Sequence, residues 1–137
     1  KPSSAASDVY KRQGLVILLG VSVTDTEAEA VQVARKVAGL RMLDGERSLT
    51  DAGAPALVVS QFTLYGDVRK GRRPSWTRAA KGNQAEPLYE RFTAELEAAG
   101  VRVERGVFGA KMDVSLTNSG PFTLIVDSDE LAGPRRG

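Results

Sequence analysis

The chain has 137 residues, a formal net charge of +2 and an ordinary apolar share of 42%, so we expect one soluble globular domain. It contains no cysteine and no histidine, which excludes disulfides, thiol nucleophiles, Ser-His-Asp triads and most zinc or iron sites, and no apolar run approaches the ~20 residues of a membrane span. Hydrolytic chemistry must therefore use hydroxyls, carboxylates, backbone N–H groups or the atoms of the substrate, which favours an activated bond such as an ester.

Residues 1–13 have no hydrophobic period, and we interpret them as a disordered or non-native tail. The continuous apolar run Leu15–Leu19 predicts a central strand that is buried on both faces. Residues 24–27 have the pattern of a capping box and predict a helix, whose apolar positions recur at helical spacing through Met42. The stretch 44–55 is rich in Gly, Asp and Ser and predicts a turn or loose hairpin.

A second interior strand is predicted from residue 56 through the polar segment Ser60-Gln61-Phe62-Thr63 to Tyr65, and it ends at Gly66 and Asp67. Hydroxyls and an amide at the end of a buried strand form a candidate site, although such side chains often only satisfy neighbouring backbone groups. A basic cluster follows: Arg69, Lys70, Arg72, Arg73, Arg78 and Lys81. Such a cluster can neutralise phosphates, or it can be a solvated loop.

A second helix is predicted with Pro87 in its first turn and Gly100 as its stop signal. Three β-rich runs then follow, at residues 101–108, 112–116 and 122–126. The segment 129–137 is predicted to be a frayed tail. Together these elements predict the α/β class (α+β type), with a mixed or barrel-like sheet and two main helices.

Four segments in this order resemble the D-aminoacyl-tRNA deacylase family. They are SQFTLY at residues 60–65, KGRRPS at 70–75, FGAKM at 108–112 and NSGPFT at 118–123. Without the resemblance, the last of them reads as an ordinary turn. The resemblance covers about residues 14–128, which we take as the catalytic domain. The family's first hairpin has no counterpart, because residues 1–13 match neither its alternation nor its basic residues.

The resemblance implies a homodimer with active sites at the subunit interface. The family's Gly-cisPro motif falls on Gly120 and Pro121, which would reach into the partner's pocket and, with Met112 nearby, reject L-amino acids. Spacing alone gives no reason to expect a cis bond, since only about one X-Pro bond in twenty is cis. A rigid main-chain wall suits the task, because it excludes one enantiomer more strictly than an adaptable apolar pocket does.

The resemblance also places Ser60, Gln61, Phe62 and Thr63 around a scissile aminoacyl ester. We expect the Phe62 backbone N–H, with help from Gln61 or Ser60, to stabilise the oxyanion, and Thr63 to be a positioning hydroxyl rather than a nucleophile. Stabilisation of the oxyanion can accelerate hydrolysis without a catalytic triad when the ester is already reactive and a ribose hydroxyl of the terminal adenosine lies beside it.

Four basic side chains are expected to meet tRNA phosphates without reading sequence: Arg69, Lys70, Arg72 and Arg73. Trp76 is interpreted as a packing anchor, with stacking on the terminal base as the alternative. The expected activity is hydrolysis of D-aminoacyl-tRNA, and of mischarged glycyl-tRNA, in the cytoplasm, with no metal, no cofactor, no membrane and no DNA partner. The alternative is a non-catalytic tRNA-binding module on the same scaffold, inactivated by loss of its first strand.

Overall fold

The computed structural model of the chain describes residues 13–134. Three strands form one parallel sheet in the order β1-β2-β3: β1 is Leu15–Leu19, β2 is Ala56–Ser60 and β3 is Val103–Arg105. Four helices accompany them: α1 is Glu27–Gly39, α2 is Leu49–Ala52, α3 is Gly82–Ala98 and α4 is Ser128–Ala132. The predicted α/β class is confirmed, and in residues 13–134 the sheet is small, open and parallel rather than mixed or barrel-like. The predicted tail 1–13 lies outside the described residues except for Gln13.

Among residues 13–134, strand β1 lies at an edge of the sheet and buries one face only. Leu15 and Ile17 pack with β2 and with helices α1 and α3 in the main core, whereas Val16 and Leu18 are 40% and 48% exposed. The prediction of a central strand buried on both faces is therefore wrong. A continuous apolar run shows that both faces can be buried, but it does not identify what covers the second face.

Helix α1 begins after Thr26, two residues later than the predicted capping box. The Glu29 carboxylate accepts hydrogen bonds from the Thr26 backbone N–H at 2.6 Å and from the Thr26 hydroxyl at 2.8 Å. Thr24 instead pairs with Ser22, whose hydroxyl oxygen lies 3.1 Å from that of Thr24. Two hydroxyl–glutamate patterns overlap here, Thr24 with Glu27 and Thr26 with Glu29, and the structure forms the second.

Helix α3 already begins at Gly82, so Pro87 lies inside the helix and not in its first turn. Its ring removes one N–H donor near the start of a long helix, a loss that the packed apolar side of the helix offsets. Gly100 ends the helix as predicted, with a φ of +91° that favours glycine.

The loop after α1 contains a tight turn, as predicted, and also a short helix that was missed. Leu43 and Arg47 exchange two backbone hydrogen bonds of 3.0 and 3.3 Å around the turn. The Ser48 hydroxyl then accepts from the Asp51 N–H at 3.1 Å, and the Asp51 carboxylate accepts from the Ser48 N–H at 3.0 Å. This reciprocal pair is a capping box, so the sequence did carry a signal for α2.

The predicted strands at residues 112–116 and 122–126 are not formed, and residues 109–125 are all exposed. The β2–β3 pairing ends at Val58 and Arg105. At that point the buried Tyr89 hydroxyl donates to the Val58 carbonyl at 2.8 Å. A strand needs a partner for its backbone groups. Beyond Arg105, the described part of the chain pairs no strand with this segment.

Part of the predicted frayed tail is ordered as α4. The Asp127 carboxylate accepts a hydrogen bond from the Asp129 N–H at 2.9 Å and so caps the helix. The tail prediction overlooked this cap and is wrong for residues 129–132; residues 135–137 lie outside the described range. No helix within the described range is long and apolar enough to cross a membrane.

Replacing Tyr89 with phenylalanine is expected to lower the free energy of unfolding by about 1–3 kcal/mol. The change leaves the carbonyl of Val58, a residue with 0% exposure, without its hydroxyl donor. Urea unfolding followed by circular dichroism measures the loss. The matched control is Tyr65→Phe, because the Tyr65 hydroxyl makes no hydrogen bond to residues 13–134. Equal stability of the two variants would contradict the role given to the Tyr89 hydroxyl.

Candidate active site

The predicted segment Ser60-Gln61-Phe62-Thr63 lies at the carboxyl end of β2, where the chain leaves the sheet in a 3₁₀ turn, Phe62–Tyr65. The Gln61 N–H donates to the Leu19 carbonyl at 2.8 Å, so the first residue after β2 is still tied to the end of β1. The Leu64 N–H then donates to the Gln61 carbonyl at 3.3 Å. These bonds fix the backbone on both sides of Phe62.

The backbone N–H groups of Phe62 and Thr63 are the first two of the turn, and neither has a hydrogen-bond partner among residues 13–134. The opening residues of any helical turn leave such donors free. Both side chains are exposed, and Phe62 is 53% exposed. Two adjacent amide donors on a fixed backbone at an open surface can receive a negatively charged oxygen.

The side chains of Gln61 and Thr63 interact directly. The Gln61 Nε2 donates to the Thr63 Oγ1 at 2.5 Å, so the threonine hydroxyl oxygen is an acceptor in this contact. A side-chain amide donor cannot remove a proton. No group in the described part of the chain is placed to accept the Thr63 proton, so the geometry orients this hydroxyl without activating it.

The titratable groups nearest the turn also offer no base. Burial raises the pKa of the Tyr65 phenol, so that phenol keeps its proton at neutral pH. Burial also raises the pKa of Asp25, which makes its carboxylate a stronger base, but this carboxylate accepts a hydrogen bond from the Ser22 N–H at 2.8 Å and makes no hydrogen bond to residues 60–63. The site therefore provides donors and shape, not a side-chain proton acceptor.

Gly20, at the end of β1, allows the turn to lie close against the sheet. A Cβ atom at Gly20 would lie 3.1 Å from the Leu64 Cβ and 3.2 Å from the Tyr65 Cδ2. A larger residue would therefore press on the turn that carries the free amides. In the sequence, this glycine directly follows the apolar run Leu15–Leu19, and nothing in that pattern indicates the close approach of the turn.

The basic cluster lies largely on a hairpin of residues 67–75, here called the basic hairpin. Asp67 and Ser75 close it with two backbone hydrogen bonds of 2.8 Å each. Residues 68–75 are exposed. The hairpin begins directly after Gly66, the residue that ends the 3₁₀ turn.

Within this hairpin, Arg69 is already paired. Its guanidinium donates to the Asp67 carboxylate at 2.9 and 2.6 Å, and these bonds hold the pKa of Asp67 well below its ordinary range. Lys70, Arg72 and Arg73 form no ion pair within residues 13–134. The prediction treated the four cations as equivalent, and it missed the acid that stands two positions before Arg69.

The structure does not join the other predicted site residues to this turn. The Gly120–Pro121 peptide bond is cis, and the segment around it is exposed. The Asn118 amide donates to the Thr123 hydroxyl at 2.6 Å, and beyond the two neighbouring residues of the chain no heavy atom lies within 4 Å of a Cβ built on Gly120. No hydrogen bond connects residues 118–123 with residues 60–63 in the described structure.

Met112 lies near the end of β3. Its Cε and Sδ atoms would lie 2.6 and 2.8 Å from a Cβ on Gly106, so the thioether packs directly on that glycine. Met112 is 38% exposed. No group of three or more His, Cys, Asp or Glu side chains that could hold a metal ion occurs among residues 13–134.

The family model described as D-Tyr-tRNA(Tyr) deacylase matches residues 4–127, which includes part of the segment interpreted as a non-native tail. The chain is 95% identical over 128 residues to a D-aminoacyl-tRNA deacylase of Micrococcus luteus, covering 93% of this chain and 85% of that protein. A D-aminoacyl-tRNA deacylase of Kocuria rhizophila is 60% identical over 124 residues, covering 90% and 83%.

Two solved structures share the fold. The c-Myc DNA Unwinding Element Binding Protein superposes with a TM-score of 0.71 and 36% identity, covering 78% of this chain and 76% of that chain. A probable eukaryotic D-amino acid tRNA deacylase gives a TM-score of 0.62 at 19% identity, covering 78% and 80%, and supports the fold alone. The resemblance predicted from the four motifs is confirmed. The chain belongs to the D-Tyr-tRNA(Tyr) deacylase family and is an enzyme that hydrolyses aminoacyl-tRNA esters.

Proposed function

We propose that the chain hydrolyses the ester bond of D-aminoacyl-tRNA, releasing free tRNA and the D-amino acid as a proofreading step in translation. The pair of free amides at Phe62 and Thr63, at an open strand end in a chain of this family, carries the proposal. Glycyl-tRNA is a second substrate, since glycine has no side chain for a chiral wall to reject. We also propose that the enzyme acts in the cytoplasm.

In the proposed chemistry, the two amides stabilise the oxyanion that forms when water attacks the ester carbonyl. One such donor typically contributes ~2.7–4 kcal/mol to transition-state stability. The Gln61–Thr63 hydrogen bond keeps the threonine hydroxyl in one orientation beside the ester. Since the site has no side-chain base, the neighbouring ribose hydroxyl of the terminal adenosine assists the water.

Release of tyrosine from D-Tyr-tRNA and from L-Tyr-tRNA tests this function. Release from the D-ester alone supports it. Binding of D-Tyr-tRNA without release would support a non-catalytic tRNA-binding module instead, an alternative that the high identity to D-aminoacyl-tRNA deacylases does not favour.

Replacing Thr63 with alanine is expected to lower kcat by no more than about tenfold, because the hydroxyl positions the ester and does not attack it. Single-turnover deacylation of D-Tyr-tRNA measures the change, and Thr63→Ser is the matched control that keeps the hydroxyl. Complete loss of turnover with normal tRNA binding would show that the threonine is the nucleophile.

We propose that the basic hairpin binds the phosphates of the acceptor stem through its three unpaired cations. Changing Arg72 and Arg73 together to glutamine should raise KM and reduce the salt slope of binding by about 0.9 for each lost phosphate contact. Arg69→Gln is the matched control, because Asp67 already occupies that guanidinium. Equal effects of the two changes would contradict the proposal that Arg72 and Arg73 bind phosphate while Arg69 does not.

We also propose that the enzyme works as a homodimer. Large apolar side chains are exposed both on β1, at Val16 and Leu18, and within residues 109–125, at Leu116, Phe122 and Ile125. Extensive apolar surface of this kind marks an interaction site. Solution mass tests the proposal, and a monomer would leave the site without a partner's Gly120 and Pro121.

We also expect the enzyme not to bind DNA as a partner. Because phosphate contacts carry no sequence information, a DNA duplex should be used as a competitor in the tRNA-binding assay to test this expectation.

A further inference from the structure

The only tryptophan of the chain, Trp76, directly follows the basic hairpin and contacts the turn that carries the free amides. Its ring meets the Phe62 ring edge-on, with centroids 5.2 Å apart and an interplanar angle of 70°. This geometry is one that aromatic pairs prefer. The contact joins the end of the hairpin to the first residue of the turn.

Gly66 leaves the space that the Trp76 indole occupies. A Cβ atom at Gly66 would lie 2.9 Å from the Trp76 Cζ3, closer than such atoms approach in proteins. The φ of Gly66 is −61°, which any residue can adopt. Glycine is therefore needed here for space and not for its torsion angles. The indole lies against the main chain at the start of the hairpin while it touches Phe62.

We propose that Trp76 is a positioning residue that holds Phe62, and with it the two free amides, in the orientation that the reaction requires. This inference rests on the proposed function, because it assigns a task to the amides as oxyanion donors. Trp76 itself acts through Phe62 and does not touch the ester.

Base stacking is the competing role for the same side chain. The indole is 42% exposed, so one part of it is open to a nucleotide. Stacking would contribute to binding of the tRNA terminus and would therefore appear in KM. Positioning of the amides acts on the transition state and appears in kcat.

The first experiment compares kinetics of D-Tyr-tRNA deacylation. Trp76→Ala should lower kcat by about twofold to tenfold, the factor that one aromatic pair provides, with KM unchanged. Trp76→Phe should restore most of the activity because it retains a ring against Phe62. Gly66→Ala, which displaces the indole without removing it, should also lower kcat. Val23→Ala, a truncation of a 46% exposed apolar side chain outside the site, is the matched control and should leave both constants unchanged.

The second experiment needs no variant. Since Trp76 is the only tryptophan, the fluorescence of the wild-type protein reports on this side chain alone. Addition of a short acceptor-stem RNA that ends in CCA should change the emission little, because the indole stays packed on Gly66 and Phe62. Strong quenching on binding would overturn the inference and assign Trp76 to base stacking.

The outcomes separate the two proposals. If the wild-type protein releases no D-tyrosine, the proposed function fails. If the wild-type protein is active but folded Trp76→Ala and Gly66→Ala keep their kcat, or change KM alone, the positioning role fails while the function stands. If Trp76→Ala does not fold, Gly66→Ala and the fluorescence of the wild-type protein still decide the question.

Discussion

Replacing Phe62 with proline is expected to lower kcat for D-aminoacyl-tRNA by about 10²–10³-fold, the usual effect of removing one oxyanion donor. Proline deletes the Phe62 N–H and, in the described structure, breaks no existing hydrogen bond, because this N–H has no partner there. Single-turnover deacylation of D-Tyr-tRNA at saturating enzyme measures the change. The matched control is Phe62→Ala, which removes the ring but keeps the N–H.

The backbone around Phe62 is suited to this substitution. Proline is tolerated at the first position of a helical turn, and the residue before it must be extended. Gln61 has φ −140° and ψ 86°, close to that region. Phe62→Ala loses the contact with Trp76 and should lose no more than about tenfold in kcat. If Phe62→Ala were as inactive as Phe62→Pro, the ring and not the amide would be the catalytic element.

The sequence predicted the elements whose signals are local. The apolar runs of β1 and β2, the helical period of α1 and the glycine after α3 all act through neighbouring residues, and these elements form. The polar segment after the apolar residues of β2 was found for the same reason, since a change from apolar to polar residues marks the end of a buried strand. The predicted end of that strand at Gly66 and Asp67 is wrong, because β2 ends at Ser60 and the chain then forms a 3₁₀ turn. Element starts were less certain, as Thr26 and Pro87 show, because several residues compete for one cap.

Features that depend on distant partners could not be predicted. Val16 and Leu18 have the residue types of a buried strand, but their burial requires a covering layer that the run itself does not specify. The β-rich runs after Arg105 need a strand to pair with, and the Tyr89 hydroxyl occupies the Val58 carbonyl where pairing would continue. The residue types of these segments therefore favour strands, but they do not indicate which parts of the chain would cover them or pair with them.

The candidate site divides in the same way. Ser60 to Thr63 could be found from the strand end, whereas the roles proposed for Gly120, Pro121 and Met112 came only from the family resemblance. The Asp67–Arg69 pair and the Trp76–Phe62 contact depend on the geometry of the basic hairpin. The sequence holds two weak signals for these contacts: Asp67, an acid two positions before Arg69, and Gly66, a small residue at the start of the hairpin.

Replacing Pro121 with glycine is expected to raise hydrolysis of L-Tyr-tRNA on the order of tenfold or more while hydrolysis of D-Tyr-tRNA continues. The proposed wall rejects the L-side chain because its backbone cannot yield, and the proline ring fixes φ where glycine leaves it free. Parallel deacylation assays on the two esters measure the change. Pro134→Gly, at an exposed proline outside the site, is the matched control. If Pro121→Gly discriminated between D-Tyr-tRNA and L-Tyr-tRNA as the wild-type protein does, the proposed rigid wall would be contradicted.

A mixing experiment tests whether the wall comes from the partner subunit. In a symmetric dimer with shared sites, each site combines the turn of one chain with the Gly120-Pro121 segment of the other. Subunit exchange between Phe62→Pro and Pro121→Gly chains then places wild-type proline opposite half of the working turns. Activity on L-Tyr-tRNA should fall by about half, while activity on D-Tyr-tRNA should stay constant. If each chain screened its own substrate, exchange would leave both activities unchanged, because every working turn would keep its own relaxed wall.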